Sequence, residues 1–220
     1  MVMPTRFRTA SQPIASYDYT DIDEGTGVVV FYGFTHKEES TESFALSQRA
    51  TYSYTIVHSK SVSTTDATKA YDHDYDLSPF NTPKTIKGTA RVMVTFGGQA
   101  KPDSARSIYF IAKLRKWDGT TETEIASAQS ATESLTYESS PDTDSFMQNV
   151  EITIPRTHFA SGETLRLTFE LWSTGGGPVH TNTIGYAHDP KNREDTNSTK
   201  VIETSHSTIM EVHIPFLLDL

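Results

Sequence analysis

Asp72, His73, Asp74, Tyr75 and Asp76 are consecutive and form the densest set of potential oxygen ligands in the chain. Alternating carboxylates resemble the opening of a calcium loop, because a hard cation needs several oxygen ligands at once. The helix–loop–helix calcium pattern would require Gly at position 77 and Glu at position 83, where Leu77 and Pro83 stand. Asp72, Asp74 and Asp76 are therefore candidate ligands only of some other kind of calcium site, and the plainer expectation is a solvated acidic loop. Asp21, Asp23 and Glu24, like Asp142 and Asp144, are sparser groupings of the same type. The eight histidines, at positions 36, 58, 73, 158, 180, 188, 206 and 213, include no H-x-H or H-E-x-x-H pair that would bring two imidazoles onto one metal. They are expected to be surface residues. There is no G-x-S-x-G elbow for a serine hydrolase, and nothing singles out a facing pair of carboxylates for glycoside hydrolysis. Gly175, Gly176 and Gly177 precede no Lys-Ser/Thr, so they do not make a phosphate loop. Asn197-Ser198-Thr199 fits the glycosylation pattern, incidentally if no secretion signal is present. The sequence nominates no catalytic residue and no cofactor, and the expectation is a protein that is not an enzyme.

The elements around these residues read as strands. Thr85–Phe96 alternates Ile86, Gly88, Ala90, Val92, Val94 and Phe96 with polar residues, and neighbouring side chains on a strand face opposite ways. The same period of two runs through Arg106–Trp117, through Val150, Ile152 and Ile154 as far as Pro155, and through Leu165, Leu167, Phe169 and Leu171. It returns in Met210, Val212, Ile214, Phe216 and Leu218, with Glu211 and His213 on the exposed face. Gly27–Thr35 is a short apolar run of buried-strand type. Phe44–Val57 is read as a strand that places Tyr52, Tyr54 and Ile56 on one side. Tyr32, Tyr52 and Tyr54 are expected in the core. Asp118-Gly119 predicts a two-residue hairpin turn. Residues 58–84 and 173–206 read as long loops, and residues 1–25 as an extended N-terminal arm ahead of a single domain at 26–220. The fold class is all-β: an antiparallel β-sandwich, jelly-roll-like, with about eight principal strands.

Composition agrees with that class. Of the 220 residues, 32 are Thr and 23 are Ser, which suits half-wet strands joined by turns. The net charge of −9 lacks a basic cluster of the kind that phosphate backbones demand, so nucleic acid is not an expected partner. Lys113, Arg115 and Lys116 read as a solvated strand face. The chain has no Cys, which excludes disulfides and thiolate chemistry. No signal peptide and no membrane-spanning apolar run are visible, so no membrane partner is expected.

The C-terminal third, from Val150–Pro155 through the Phe159–Leu165 turn and the L-x-L-x-F-x-L strand to the His188-Asp189-Pro190 loop and the closing Ile-Pro-Phe-Leu-Leu-Asp-Leu strand, resembles the jelly-roll decoration, or cement, proteins of tailed phages. The resemblance implies a non-enzymatic virion structural protein, made in the host cytoplasm, that binds the outer capsid surface and stabilises contacts between subunits. Its implied partner is the major capsid protein, with homo-oligomers, trimers among them. The alternative is a carbohydrate-binding or receptor-binding β-sandwich that would use exposed aromatics near Tyr71–Tyr75 and Trp172.

Overall fold

The computed structural model describes residues 26–101, 105–136, 143–175, 181–194, 201–203 and 206–217; these are all β, with no helix. In chain order the strands are β1 (Thr26–Glu38), β2 (Thr41–Ser47), β3 (Val57–Val62), β4 (Thr68–Asp76), β5 (Lys84–Gln99), β6 (Arg106–Trp117), β7 (Glu122–Gln129), β8 (Glu133–Leu135), β9 (Asp144–Phe159), β10 (Thr164–Gly175), β11 (Asn182–Ala187) and β12 (Glu211–Leu217). The expected arm at 1–25 lies outside the described residues, as do Gly176 and Gly177, His180 and Asn197.

One layer centres on β5. It carries β9 along one edge and β12 and β11 in tandem along the other, with β1 beyond β12 and β3 beyond β11. The facing layer runs β2, β4, β10 and β6, and β7 and β8 pair with β6. β1 belongs to both, because its first half pairs with β12 and its second half with β2. Every pairing is antiparallel except that of β2 with β4, which meet at the single pair Ala45 and Asp76.

The alternation predicted for β5, β6, β10 and β12 is what fills the space between the layers. Ile86, Ala90, Val92 and Phe96 on β5 are fully buried, and so are Ile108, Phe110 and Leu114 on β6 and Leu165, Leu167, Phe169 and Leu171 on β10. Phe96 and Phe110 meet edge to face at 5.3 Å between ring centroids, across the two layers. Each such side chain contributes about 1.5–3 kcal/mol through apolar area removed from water.

Several expectations are corrected. Among the described residues there are twelve strands, where about eight principal ones are expected. The supposed loop at 58–84 contains nearly all of β3 and the whole of β4, and the one at 173–206 contains the end of β10 and all of β11. Tyr and His share their inner positions with Val62, Ala70 and Ile184, and the outer ones carry Asp, Lys and Ser, so a continuous aliphatic alternation is missing. Phe44–Val57 is not one strand: β2 ends at Ser47 and β3 begins at Val57. In between, Tyr52 and Tyr54 point into solvent, 72% and 59% exposed, and Tyr32 is only half-buried. β9 does not stop at Pro155. It continues to Phe159 through an irregularity in which Pro155 and Arg156 stand opposite Lys87, as suits a residue that cannot donate to the ladder. The β6–β7 turn holds four residues, not two: Gly119 takes φ +98°, and the Asp118 carboxylate accepts from the amides of Thr120 and Thr121.

Gly185 brings β11 and β3 together. A Cβ at this position would lie 1.9 Å from the His58 carbonyl oxygen, which is backbone and cannot yield cheaply. Gly185→Ala is expected to destabilise the protein by about 1–3 kcal/mol, read as a fall of several degrees in thermal midpoint at unchanged β content by circular dichroism.

Candidate functional site

β11 turns Ile184 and Tyr186 into the interior, and His188 takes the next inward position just beyond the strand. The His188 amide donates to the Ile56 carbonyl at 3.0 Å, which extends the β3–β11 ladder past its last formal pair. β3 places His58 directly opposite Tyr186. From the facing layer, β4 sends Tyr71, His73 and Tyr75 inward at a spacing of two, and β2 adds Glu42 and Phe44. Three imidazoles, three phenols and one carboxylate thus meet in one corner of the sandwich.

The rings pack closely. His58 lies flat on His188, with centroids 4.8 Å apart and planes 11° apart, and meets His73 edge-on at 5.0 Å. Phe44 stacks on His73 at 4.0 Å, and Tyr186 packs on Phe169 at 4.4 Å. The hydroxyls form a relay: Tyr75 and Tyr186 are 2.8 Å apart, and the Tyr186 hydroxyl is 2.5 Å from His73 Nδ1. With a neutral imidazole accepting at Nδ1, Tyr186 donates to His73 and accepts from Tyr75, and the His73 proton sits on Nε2. Glu42 accepts a hydrogen bond from the Thr55 hydroxyl and holds Oε2 at 3.9 Å from His58 Nε2. Both ring nitrogens of His188 are buried without a hydrogen-bond partner among the described residues.

Burial dominates the electrostatics. It drives the His188 pKa well below the ordinary imidazole value, and the neighbouring His58 and His73 add to the effect. His73 is pushed down to about 4, by burial first and then by His58. His58 is lowered by burial, against the opposing pull of Glu42. Burial raises the Tyr71, Tyr75 and Tyr186 phenols. At neutral pH the cluster therefore holds neutral imidazoles and neutral phenols. Tyr75, Tyr186 and His188 are wholly enclosed, whereas Glu42, Phe44, His58, Tyr71 and His73 are partly exposed and form its open side.

The acidic triplet lies on the opposite face of β4. Arg166 on β10 pairs with Asp76 and Asp74, reaches Glu122 and covers Trp117, while Lys69 takes Asp72. Asp72, Asp74 and Asp76 thus stand on a strand and spend their charge on neighbouring cations, not in a loop. Among the described residues, no group of three or more His, Asp or Glu is placed to hold a metal ion. Lys113, Arg115 and Lys116 are paired with Glu170, Glu122 and Glu163 rather than merely solvated. Burial alone would raise the Glu170 pKa, but hydrogen bonds from Lys113, Trp172 and Lys69 hold it below the usual range. Glu211 and His213 do meet, at 3.1 Å. The expectation of surface histidines fails for His58, His73 and His188. The available signal was the spacing of two in Tyr71-x-His73-x-Tyr75 and Tyr186-x-His188, a strand period written in aromatic residues.

No protein-family model matches the chain, and no curated protein matches it. Solved structures do. An aminopeptidase from the marine sediment archaeon Thaumarchaeota archaeon aligns with a TM-score of 0.50 at 7% identity, over 85% of this chain and 36% of that one. An α-amino acid ester hydrolase aligns with a TM-score of 0.50 at 10% identity, over 86% of this chain and 36% of that one. At these identities the likeness is one of fold, and this chain spans little more than a third of either enzyme. It nevertheless overturns the expectation of a non-enzymatic virion structural protein, with the capsid role and the exclusion of enzymatic activity that came with it. The proteins named as sharing this strand arrangement are hydrolases.

The three imidazoles have a consequence for stability. Their folded pKa values lie below the unfolded value of about 6.5, so the unfolded chain binds more protons as the pH falls. The stability they allow is complete above pH 6.5 and is lost as the pH drops from there toward about 4, where His73 titrates. His188, whose pKa burial drives well below the ordinary imidazole value, should make stability fall as the pH drops through that window. His188→Leu removes two unpartnered nitrogens at little loss of shape and should flatten the dependence, as read by urea unfolding at pH 7.0 and 5.5.

Proposed function

We propose that the chain takes part in the hydrolysis of acyl bonds and that the open side of the histidine–tyrosine cluster is its acid–base centre. One observation carries the reading: His58 stands between the Glu42 carboxylate and two further neutral imidazoles at the partly exposed end of a buried polar cluster. Glu42 lies 3.9 Å from the buried Nε2, beyond hydrogen-bond distance, and its charge favours the tautomer with the proton there, which leaves Nδ1 as the acceptor.

In this reading His58 Nδ1 takes a proton from a water molecule as its oxygen bonds to the acyl carbon. The carbonyl oxygen, gaining negative charge, accepts a hydrogen bond from His73 Nε2–H. The acyl C–O or C–N bond then breaks, and the departing alcohol or amine takes the proton from His58. The relay from Tyr75 through Tyr186 to His73 fixes the tautomer that this requires. No nucleophilic serine is needed, in keeping with the absence of a G-x-S-x-G elbow. The substrate class, small aminoacyl esters and amides, follows the hydrolases whose fold the chain shares.

The test is turnover of aminoacyl esters and anilides by the purified chain. His58→Gln is expected to lower kcat/KM by about 10²–10⁴-fold with little change in melting temperature. The acid limb of the rate profile should lie below pH 6.5, since His58 is a base only while unprotonated. A wild-type rate no greater than that of free imidazole, or full activity in His58→Gln, overturns the reading.

A further inference from the structure

Far from the imidazoles in chemical character, residues 48–56 cross between β2 and β3 without joining either. A connecting segment of this kind would be expected to hide its large side chains, yet it holds two of them outward. Tyr52 and Tyr54 are two of only three large hydrophobic residues that are strongly exposed among the described residues.

Their position is fixed from beneath by Ser53, which is buried between them. Its hydroxyl accepts from the Thr35 amide at 2.9 Å and donates to the Thr55 carbonyl at 2.6 Å. The Ser53 amide donates to Asp189 at 3.3 Å, and its carbonyl accepts from Arg193 at 2.6 Å. Asp189 is wholly buried and takes three further hydrogen bonds from Arg193, through the backbone amide, Nε and Nη2, at 2.9, 2.9 and 3.0 Å. The Tyr54 amide donates to Thr35 at 2.8 Å. An ion pair to a buried carboxylate and a fully bonded serine thus hold two phenols in water.

Cations flank both rings. Lys191 Nζ lies 5.4 Å from the Tyr52 centroid and the Arg193 guanidinium 5.2 Å from it, while Lys37 Nζ is 5.1 Å from Tyr54 and 3.3 Å from its hydroxyl. Neither Lys37 nor Lys191 has an ion-pair partner among the described residues. Three cations thus stand beside two exposed aromatic rings on a chain of net charge −9.

We propose that Tyr52, Tyr54, Lys37, Lys191 and Arg193 form a docking surface for a carboxylate-rich segment of a partner protein. Rigid tyrosines flanked by cations have the make-up of an interface centre: large contact area at low cost in side-chain entropy, with charged groups around it. The occupant follows from charge complementarity. Lys37 faces Glu42 across the β1–β2 ladder, but that carboxylate bonds to the Thr55 hydroxyl and neither lysine holds an ion pair among the described residues, so a carboxylate can reach either without displacing the Arg193–Asp189 pair. A long polyanion such as RNA would meet the repulsion of the whole acidic molecule, whereas a short acidic peptide would feel mainly this patch, within a Debye length of about 10 Å. The surface is independent of the hydrolytic reading.

The probe is a short peptide of alternating Glu and Gly, labelled with a fluorophore and titrated with the full chain at low and at physiological salt. Saturable binding is expected, weakened about tenfold or more by Tyr52→Ala and by Tyr54→Ala. Lys191→Gln and Lys37→Gln should weaken it and reduce its salt dependence, while Lys87→Gln, on β5, leaves it unchanged. All five side chains are exposed, and an unaltered melting temperature will show that each variant folds. No saturable binding, equal binding by the tyrosine variants, or stronger binding of a single-stranded oligoribonucleotide overturns the proposal.

Discussion

Tyr186 ties the two layers of the sandwich together. Its ring packs on Phe169 of β10, its hydroxyl bonds to Tyr75 and His73 of β4, and its backbone pairs with both β3 and β5. A buried phenol must find partners for its hydroxyl or bear the cost of desolvation. Here those partners come only from the opposite layer, so the spacing of the layers at this corner is set by hydrogen-bond length rather than by apolar contact alone. Gly185 serves the same constraint, because any larger residue would push β3, and His58 with it, away from the strand that carries Tyr186.

β4 divides its chemistry between its two faces. Inward it presents rings that stay neutral, and outward it presents carboxylates that stay charged. β10, its neighbour, answers both: Leu167, Phe169 and Leu171 stand beside Tyr75, His73 and Tyr71, while Arg166 answers the acids on the outer side. Glu170 reverses the pattern on the same strand, an acid set between Lys69 and Lys113. The outer face of this layer is thus a mosaic of paired charges, and such pairs contribute little to net stability where solvent reaches them. They fix which neighbour each strand accepts, while the cluster on the other side supplies the groups suited to proton transfer.

How much of this was legible in the sequence depended on what filled the inner positions. β5, β6, β10 and β12 were plain because Val, Ile, Leu and Phe occupy every second site. β3, β4 and β11 were not, since His, Tyr and Gly interrupt the few aliphatic residues at their inner positions, Val62, Ala70 and Ile184. Tyr52 and Tyr54 misled in the opposite sense: they alternate as core residues do, but Ser53 is the inward one, held by Asp189, which lies 136 residues away. Pairings that distant leave no local trace. The proposed acid–base site was invisible for the same reason, its members coming from β2, β3, β4 and the end of β11. The functional expectation failed because it rested on strand patterning, which a hydrolase and a capsid protein can share.

The single parallel pair between β2 and β4 gives the molecule a seam. Elsewhere the strands exchange many backbone hydrogen bonds, so separating them breaks a ladder, whereas here little more than side-chain packing around Phe44 holds the two together. Structures open first where backbone pairing is thinnest. Glu42 and Phe44 lie on one side of this seam and Tyr71 and His73 on the other, so its breathing is what would meter the traffic of water and small molecules to the imidazoles. Local fluctuation along this weak line of backbone bonding then widens and narrows the open side through which the polar corner is reached.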